Sequence, residues 1–237
     1  MRIAERLRAS FGMTRKAQSA RFVRRGNARL HKRDLPAALA AFEDALAVDP
    51  NDAVAWNNKG LVLETLDRGA EALRCLNRAI ALRPDYVDAW VNKGITLLHM
   101  GKTEIAIECF DYVLELDPGN EVALLDRGVA LADRGEVAEA LGAFERALDH
   151  DPSFSLAWMN KGTALAQQDR HDEALRAYDE ALKRRPDSAD ALYRKALSLA
   201  AVGRTGDAEQ CLGRAIEARP EFPEASEALA DLRAGGT

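Results

Sequence analysis

Several sets of side chains recur at 34-residue intervals and could carry chemistry. One reads Arg24, Asn58, Asn92, Asp126, Asn160 and Arg194. The residues just before it read Val23, Asn57, Val91, Leu125, Met159 and Tyr193, and those one turn after it read Asn27, Leu61, Ile95, Val129, Thr163 and Leu197. Apolar stripes therefore flank a polar ladder. A carboxamide offers both donors and an acceptor, so a row of Asn can hold the backbone of another segment. An amphipathic helix or an extended peptide with apolar anchors would suit such a surface. The alternative is that each Asn satisfies neighbouring backbone of its own chain. Neither role breaks a bond.

Bond-breaking chemistry finds no comparable arrangement. The four histidines, His31, His99, His150 and His171, have no Cys, Asp or Glu at metal-ligand spacing. There is no Gly-rich phosphate loop and no Gly-x-Ser-x-Gly elbow. Neither a cofactor nor a metal is expected, and the chain reads as a non-enzyme. Cys75, Cys109 and Cys211 share one place in the 34-residue register, where Ala41, Ala143 and Ala177 also stand. They read as small packing residues, because helices about 8–10 Å apart are too distant for a disulfide.

The elements that must position these columns follow from the same period. Pro50, Pro84, Pro118, Pro152, Pro186 and Pro220 are six of the eight prolines and stand 34 apart. A fixed period of this length marks a stacked array of one supersecondary unit. The repeats are 19–52, 53–86, 87–120, 121–154, 155–188 and 189–222, each with two helical patterns. Proline ends the second helix of each. Gly26, Gly60, Gly94, Gly128, Gly162 and then Ala196 mark one place on the first helix. Ala38, Ala72, Ala106, Ala140, Ala174 and Ala208 mark one on the second. These small residues let the two helices cross closely. Phe42, Leu76, Phe110, Phe144, Tyr178 and Leu212, with Trp56, Trp90 and Trp158, fill the space between layers. Pro223 opens a last amphipathic helix over 223–233, which caps the array, and the end of 223–237 frays.

Net charge is −5, unevenly spread: residues 1–33 carry +10 and the remainder −15. Residues 1–18 read as a basic N-terminal segment, with a short amphipathic helix presenting Ile3, Leu7 and Phe11 and a polar connector over Arg15, Lys16, Ala17 and Gln18. No apolar run approaches the roughly 18 residues of a membrane span. Charges at Arg2, Glu5, Arg6 and Arg8 break the core a signal peptide needs. A cytoplasmic protein is expected.

The columns resemble the tetratricopeptide repeat family. Trp56, Gly60, Ala72, Ala79 and Pro84 match its pattern in the second repeat, and Trp158, Gly162, Ala174, Tyr178, Ala181 and Pro186 match it in the fifth. The resemblance covers 19–222 without a gap. It implies an all-α, right-handed α-solenoid of six helix-turn-helix repeats, whose first helices line a concave groove that binds protein segments. On that reading the groove comprises Val23, Arg24, Asn27, Asn57, Asn58, Leu61, Val91, Asn92, Ile95, Leu125, Asp126, Met159, Asn160, Tyr193 and Arg194. The family's chaperone-type carboxylate clamp is not expected, because Val23, Asp88 and Asn92 stand where its cations should be. Two columns depart from the family. Arg25, Lys59, Lys93, Arg127, Lys161 and Lys195 replace the usual Leu, and their stems should pack on apolar surface while the heads reach solvent or nearby acids. Near the end of the second helix Val48, Leu82 and Leu116 give way to His150 and Arg184, which predicts a weaker seam between the fourth and sixth repeats. The function implied is a scaffold that takes a peptide or helix of a partner protein. The basic segment leaves room for self-association, and for an alternative role on anionic membranes or, less readily, on nucleic acid.

Overall fold

A computed structural model describes residues 14–235. Among them are thirteen α-helices and no strand. They are α1 (Arg15–His31), α2 (Leu35–Val48), α3 (Ala53–Thr65), α4 (Gly69–Leu82), α5 (Val87–His99), α6 (Thr103–Leu116), α7 (Glu121–Asp133), α8 (Val137–His150), α9 (Ser155–Ala166), α10 (His171–Arg184), α11 (Ala189–Ala201), α12 (Thr205–Ala218) and α13 (Pro223–Arg233). The chain forms two compact units, one up to Pro118 and one from Gly119. Each is a stack of three helix pairs, and the second also carries α13. The fold is an all-α helical-repeat solenoid.

Within a pair, the glycine of the first helix meets the large residue of the second. A Cβ at Gly26, Gly94, Gly128 or Gly162 would lie 2.4–2.6 Å from the ring of Phe42, Phe110, Phe144 or Tyr178. Those rings are at most 1% exposed. The alanines at 38, 72, 106, 140, 174 and 208 are wholly buried, so the helix backbones approach closely there. The sixth repeat replaces the pair by Ala196 and Leu212, both buried.

The turn between paired helices needs one residue in the left-handed region. Gly101, Gly135 and Gly203 supply it with φ of 70°, 83° and 77°. Arg33, Asp67 and Asp169 adopt φ of 56–58° at the same place, at the steric cost of a Cβ. Each second helix ends two residues before its proline, because the residue before a proline is pushed out of the helical region. Asp49, for example, has φ −132° and ψ 92°. The proline carbonyl is used as well. The carbonyls of Pro50, Pro84 and Pro152 accept from the indole N–H of Trp56, Trp90 and Trp158, at 2.9, 2.8 and 3.0 Å. In the sixth repeat, which lacks the tryptophan, Arg214 donates to the Pro186 carbonyl at 3.0 Å.

Two sequence expectations change. Residues 15–18 are not a connector but the first turn of α1, capped by the Thr14 hydroxyl, which accepts from the Ala17 N–H. No proline or glycine between Thr14 and Arg25 interrupts the helix, so it extends to 17 residues. The expected helix around Ile3, Leu7 and Phe11 lies outside the described residues. The column of Val48, Leu82, Leu116, His150 and Arg184 is also not a buried apolar seam, although the His150 ring packs against Gly119 of the preceding repeat. Leu82 is only half-buried and Leu116 is 42% exposed. Arg184 therefore removes no apolar seam. It pairs with Glu180 at 2.7 Å and lies 5.7 Å from the Trp158 ring centroid. The packing there is made instead by Leu175, Leu192, Leu199 and Leu212, with Leu182 beside them.

Candidate functional site: the first-helix face

The face that the resemblance assigns to the groove is built from positions i, i+1 and i+4 of each first helix, of which i and i+4 lie one turn apart on one side. Its chemistry differs between the two units.

In the first unit the asparagines bond to one another. The Asn92 amide donates to Asn57 at 2.9 Å, Asn57 donates to Asn58 at 3.0 Å, and Asn58 donates to Asn27 at 2.9 Å. This chain of carboxamides crosses all three first helices of the unit. Asn57 is 4% exposed and also faces the Tyr86 hydroxyl, whose pKa burial pushes up. Four asparagines thus hold neighbouring repeats in register, which is the alternative the sequence left open, with side chains in place of backbone as partners. Ser19 adds a link of the same kind. Its hydroxyl donates to Asp52 at 2.7 Å, while Asp52 caps α3 through the Val54 and Ala55 N–H groups.

In the second unit the ladder changes. Asn160, half-buried on α9, has no hydrogen-bond partner among the described residues. The place that Asn57 holds in the first unit is taken here by Leu125, and that of Asn27 by Val129. Arg194 is exposed and forms no ion pair with a described residue. Tyr193 packs on Phe222, with ring centroids 5.1 Å apart.

The first of the three columns is mostly unavailable to a partner. Val23, Asn57, Val91 and Leu125 are 8, 4, 9 and 8% exposed and belong to the packed layer. Leu61, Ile95 and Met159 are half-buried, and Arg24 and Leu197 are exposed. The sequence reading missed two residues. Val122 and Leu156, one turn before Asp126 and Asn160, are 45% and 41% exposed on the same helix side. Their column reads Val54, Asp88, Val122, Leu156 and Asp190, so the signal was an apolar pair in a place otherwise mixed.

The cationic column lies beside this face and behaves as its chemistry predicts where its partners are visible. Lys59 pairs with Glu43 at 2.9 Å, Lys161 with Glu145 at 2.9 Å and Lys195 with Asp179 at 2.6 Å. Each acid belongs to the second helix of the preceding repeat, so these pairs bridge neighbouring repeats. The stem of Lys93 brings its ammonium to 4.9 Å from the Trp90 ring centroid. Cys75, Cys109 and Cys211 are buried free thiols whose pKa burial pushes up. No three His, Cys, Asp or Glu side chains among the described residues converge as a metal site. No described helix is long and apolar enough to cross a membrane.

Known proteins bear on this geometry through fold. No curated protein matches the chain. Among solved structures, PilW, described as a widely conserved type IV pilus biogenesis factor, aligns with a TM-score of 0.82 at 22% identity, over 89% of this chain and 98% of that one. YrrB, described as a TPR protein with an unusual peptide-binding site, aligns with a TM-score of 0.59 at 23% identity, over 79% and 97%. A chain of the APC/C hetero-tetramer Cut9–Hcn1 aligns with a TM-score of 0.83 at 18% identity, over 90% of this chain. This chain spans only 42% of that one. Two family models, both described as tetratricopeptide repeat, match residues 125–189, 159–210 and 193–235, and residues 26–89 and 67–125. With helix pairs closed by a small residue against a large one and ended by proline throughout that range, the chain belongs to the tetratricopeptide repeat family.

Proposed function

We propose that this protein is a non-catalytic, cytoplasmic interaction scaffold that receives a peptide or amphipathic helix of a partner protein on its first-helix face. The observation that carries the reading is Asn160. Its amide has no partner among the described residues, and it stands one turn from exposed Leu156. A carboxamide beside apolar anchors suits a segment that inserts side chains and offers backbone to the Asn. Leu156, Asn160 and Val122 form the centre of contact in the second unit, and Arg194 and Leu197 its margin. In the first unit Asn27, Asn57, Asn58 and Asn92 fix the shape of the face, and Arg24, Leu61 and Ile95 are what a partner would touch. The peptide-binding description of YrrB, a structural neighbour, is consistent with this role.

Peptides selected by phage display against the full chain test it. Asn160→Ala and Leu156→Ser should each weaken the selected peptides about tenfold, since each removes roughly 1–1.5 kcal/mol of contact. Leu116→Ser, exposed on α6, should leave affinity unchanged. Peptides that bind all three variants as they bind wild type would refute the assignment.

A further inference from the structure

α1 is a first helix whose outer side differs from every other. In later repeats the column at Ala55, Ala89, Ala157 and Ala191 is at most 1% exposed. The column at Val62, Thr96, Ala164 and Ser198 is at most 2% exposed. In the first unit Ala55 and Val62 share one cluster with Phe42, Ala45 and Leu46 of the preceding repeat, so this is the side on which the previous repeat stacks. On α1 the two columns are Arg21 and Ala28, and both are exposed. Arg25 sits in the place from which Lys59, Lys161 and Lys195 reach the acid of a preceding second helix. It has no acidic partner among the described residues. Between Arg15 and Arg33 there are eight cations and no acid, and of the eight only Arg29 forms an ion pair with a described residue, Asp34 at 3.2 Å.

The opposite charge stands on the last helix. α13 buries Ala225 against α12 and half-buries Leu229 and Leu232. Its outward side carries Glu227 and Asp231, one turn apart, with Glu224 beside them and Glu217 and Glu221 just before. All five are exposed and none forms an ion pair with a described residue. Arg233 is already engaged by Glu209 at 3.4 Å.

We propose that two copies of this chain associate head to tail, with the outward side of α1 on one copy docked against α13 of the next. Arg21 and Arg25 take the carboxylates of Glu227 and Asp231, in the way that the lysine column takes the acid of a preceding repeat within the chain. A heterologous contact of this kind leaves each copy with a free α1 or α13 at its ends, so it propagates unless it closes. The contact is small and made of exposed charges, so it is weak and screened by salt. It goes beyond partner binding on the first-helix face and uses none of the residues assigned there.

Sedimentation velocity of the full chain across a protein and salt series tests this. Association should appear in about 25 mM salt and weaken about tenfold or more by 200 mM, as the Debye length shortens from about 20 Å to under 10 Å. Arg21→Glu with Arg25→Glu should be monomeric in low salt, and so should Glu227→Lys with Asp231→Lys. An equimolar mixture of the two variants restores charge complementarity and should associate again. A wild type that stays monomeric in low salt, or variants that associate as it does, would overturn the proposal. So would a mixture that does not recover association. If wild type stays monomeric but binds RNA or anionic vesicles and loses this with Arg21→Glu and Arg25→Glu, the basic side serves those ligands and the proposal fails.

Discussion

Alanine at Gly128 would place a methyl group where the Phe144 ring already sits. A Cβ there would lie 2.4 Å from Cε1, 2.8 Å from Cδ1 and 2.9 Å from Cζ of that ring. Carbon atoms prefer about 3.5–4.0 Å, so the ring must move by roughly 1 Å. It is 1% exposed and packed on all sides, which makes the move an overpacking event of about 1–3 kcal/mol. Alanine improves the helix by about 0.8–1 kcal/mol over glycine, which offsets part of this. The expected net effect is a loss of up to about 2 kcal/mol, or up to roughly 4–8 °C in melting temperature for a chain of this size. The sixth repeat indicates how to relieve the clash, since Ala196 and Leu212 occupy the same two places and both are buried. Phe144→Leu alone should cost about 1–1.5 kcal/mol as a near volume-conserving change that leaves some space. Gly128→Ala with Phe144→Leu should fall within about 1 kcal/mol of wild type, because the methyl fills what the ring vacates. Guanidinium unfolding followed by circular dichroism at 222 nm on all four proteins gives the coupling, expected at about 1–2 kcal/mol. A double variant whose loss equals the sum of the singles would refute the claim that the ring dictates the glycine.

Two further outcomes follow from the same structure. Burial raises the Tyr178 pKa, its hydroxyl lying 3.4 Å from Thr163. The neutral phenol is therefore favoured in the folded state, so its contribution is fully present below the unfolded value of about 10 and is lost as pH rises through the raised folded value. Tyr178→Phe should flatten the alkaline fall in stability; an unchanged slope above pH 10 would contradict this. Arg33→Gly should raise stability by about 0.5–1 kcal/mol, because Arg33 holds a φ of 56° that glycine adopts without a Cβ clash. A lowered melting temperature would show that the arginine side chain matters more than its backbone.

The repeat architecture was legible in the residues because the same packing problem is solved six times. Each solution needs a small residue at the helix crossing, a large one opposite, and a helix stop. Small Gly94, large Phe110 and the stop before Pro118 could be read directly from their spacing, whereas the seating of the ring on the glycine could not. What the face of the first helices does could be read only in part. Asn58 and Asn92 look alike in sequence to Asn160, yet the first two are spent on neighbouring amides while the third has none within reach. That difference depends on what Asn57 and Leu125 present across to the next helix. Val122 and Leu156 escaped notice because exposure, and not residue type, sets them apart from the buried Val91. The apolar column ending in His150 and Arg184 misled for the converse reason: Leu116 looks like a core residue and is solvent-facing.

The sequence by itself determined the helix pairs, the proline that ends each second helix, and the large residue of each repeat, because these depend on a fixed spacing along the chain. Only the tertiary structure decided which polar groups remain unsatisfied. Whether Asn160 or Arg25 has a partner depends on side chains some 16 to 35 residues away that stacking brings alongside, and a hydrogen bond or ion pair exists only when both ends meet. The donors and cations are written in the sequence, and their availability is a property of the stacked repeats.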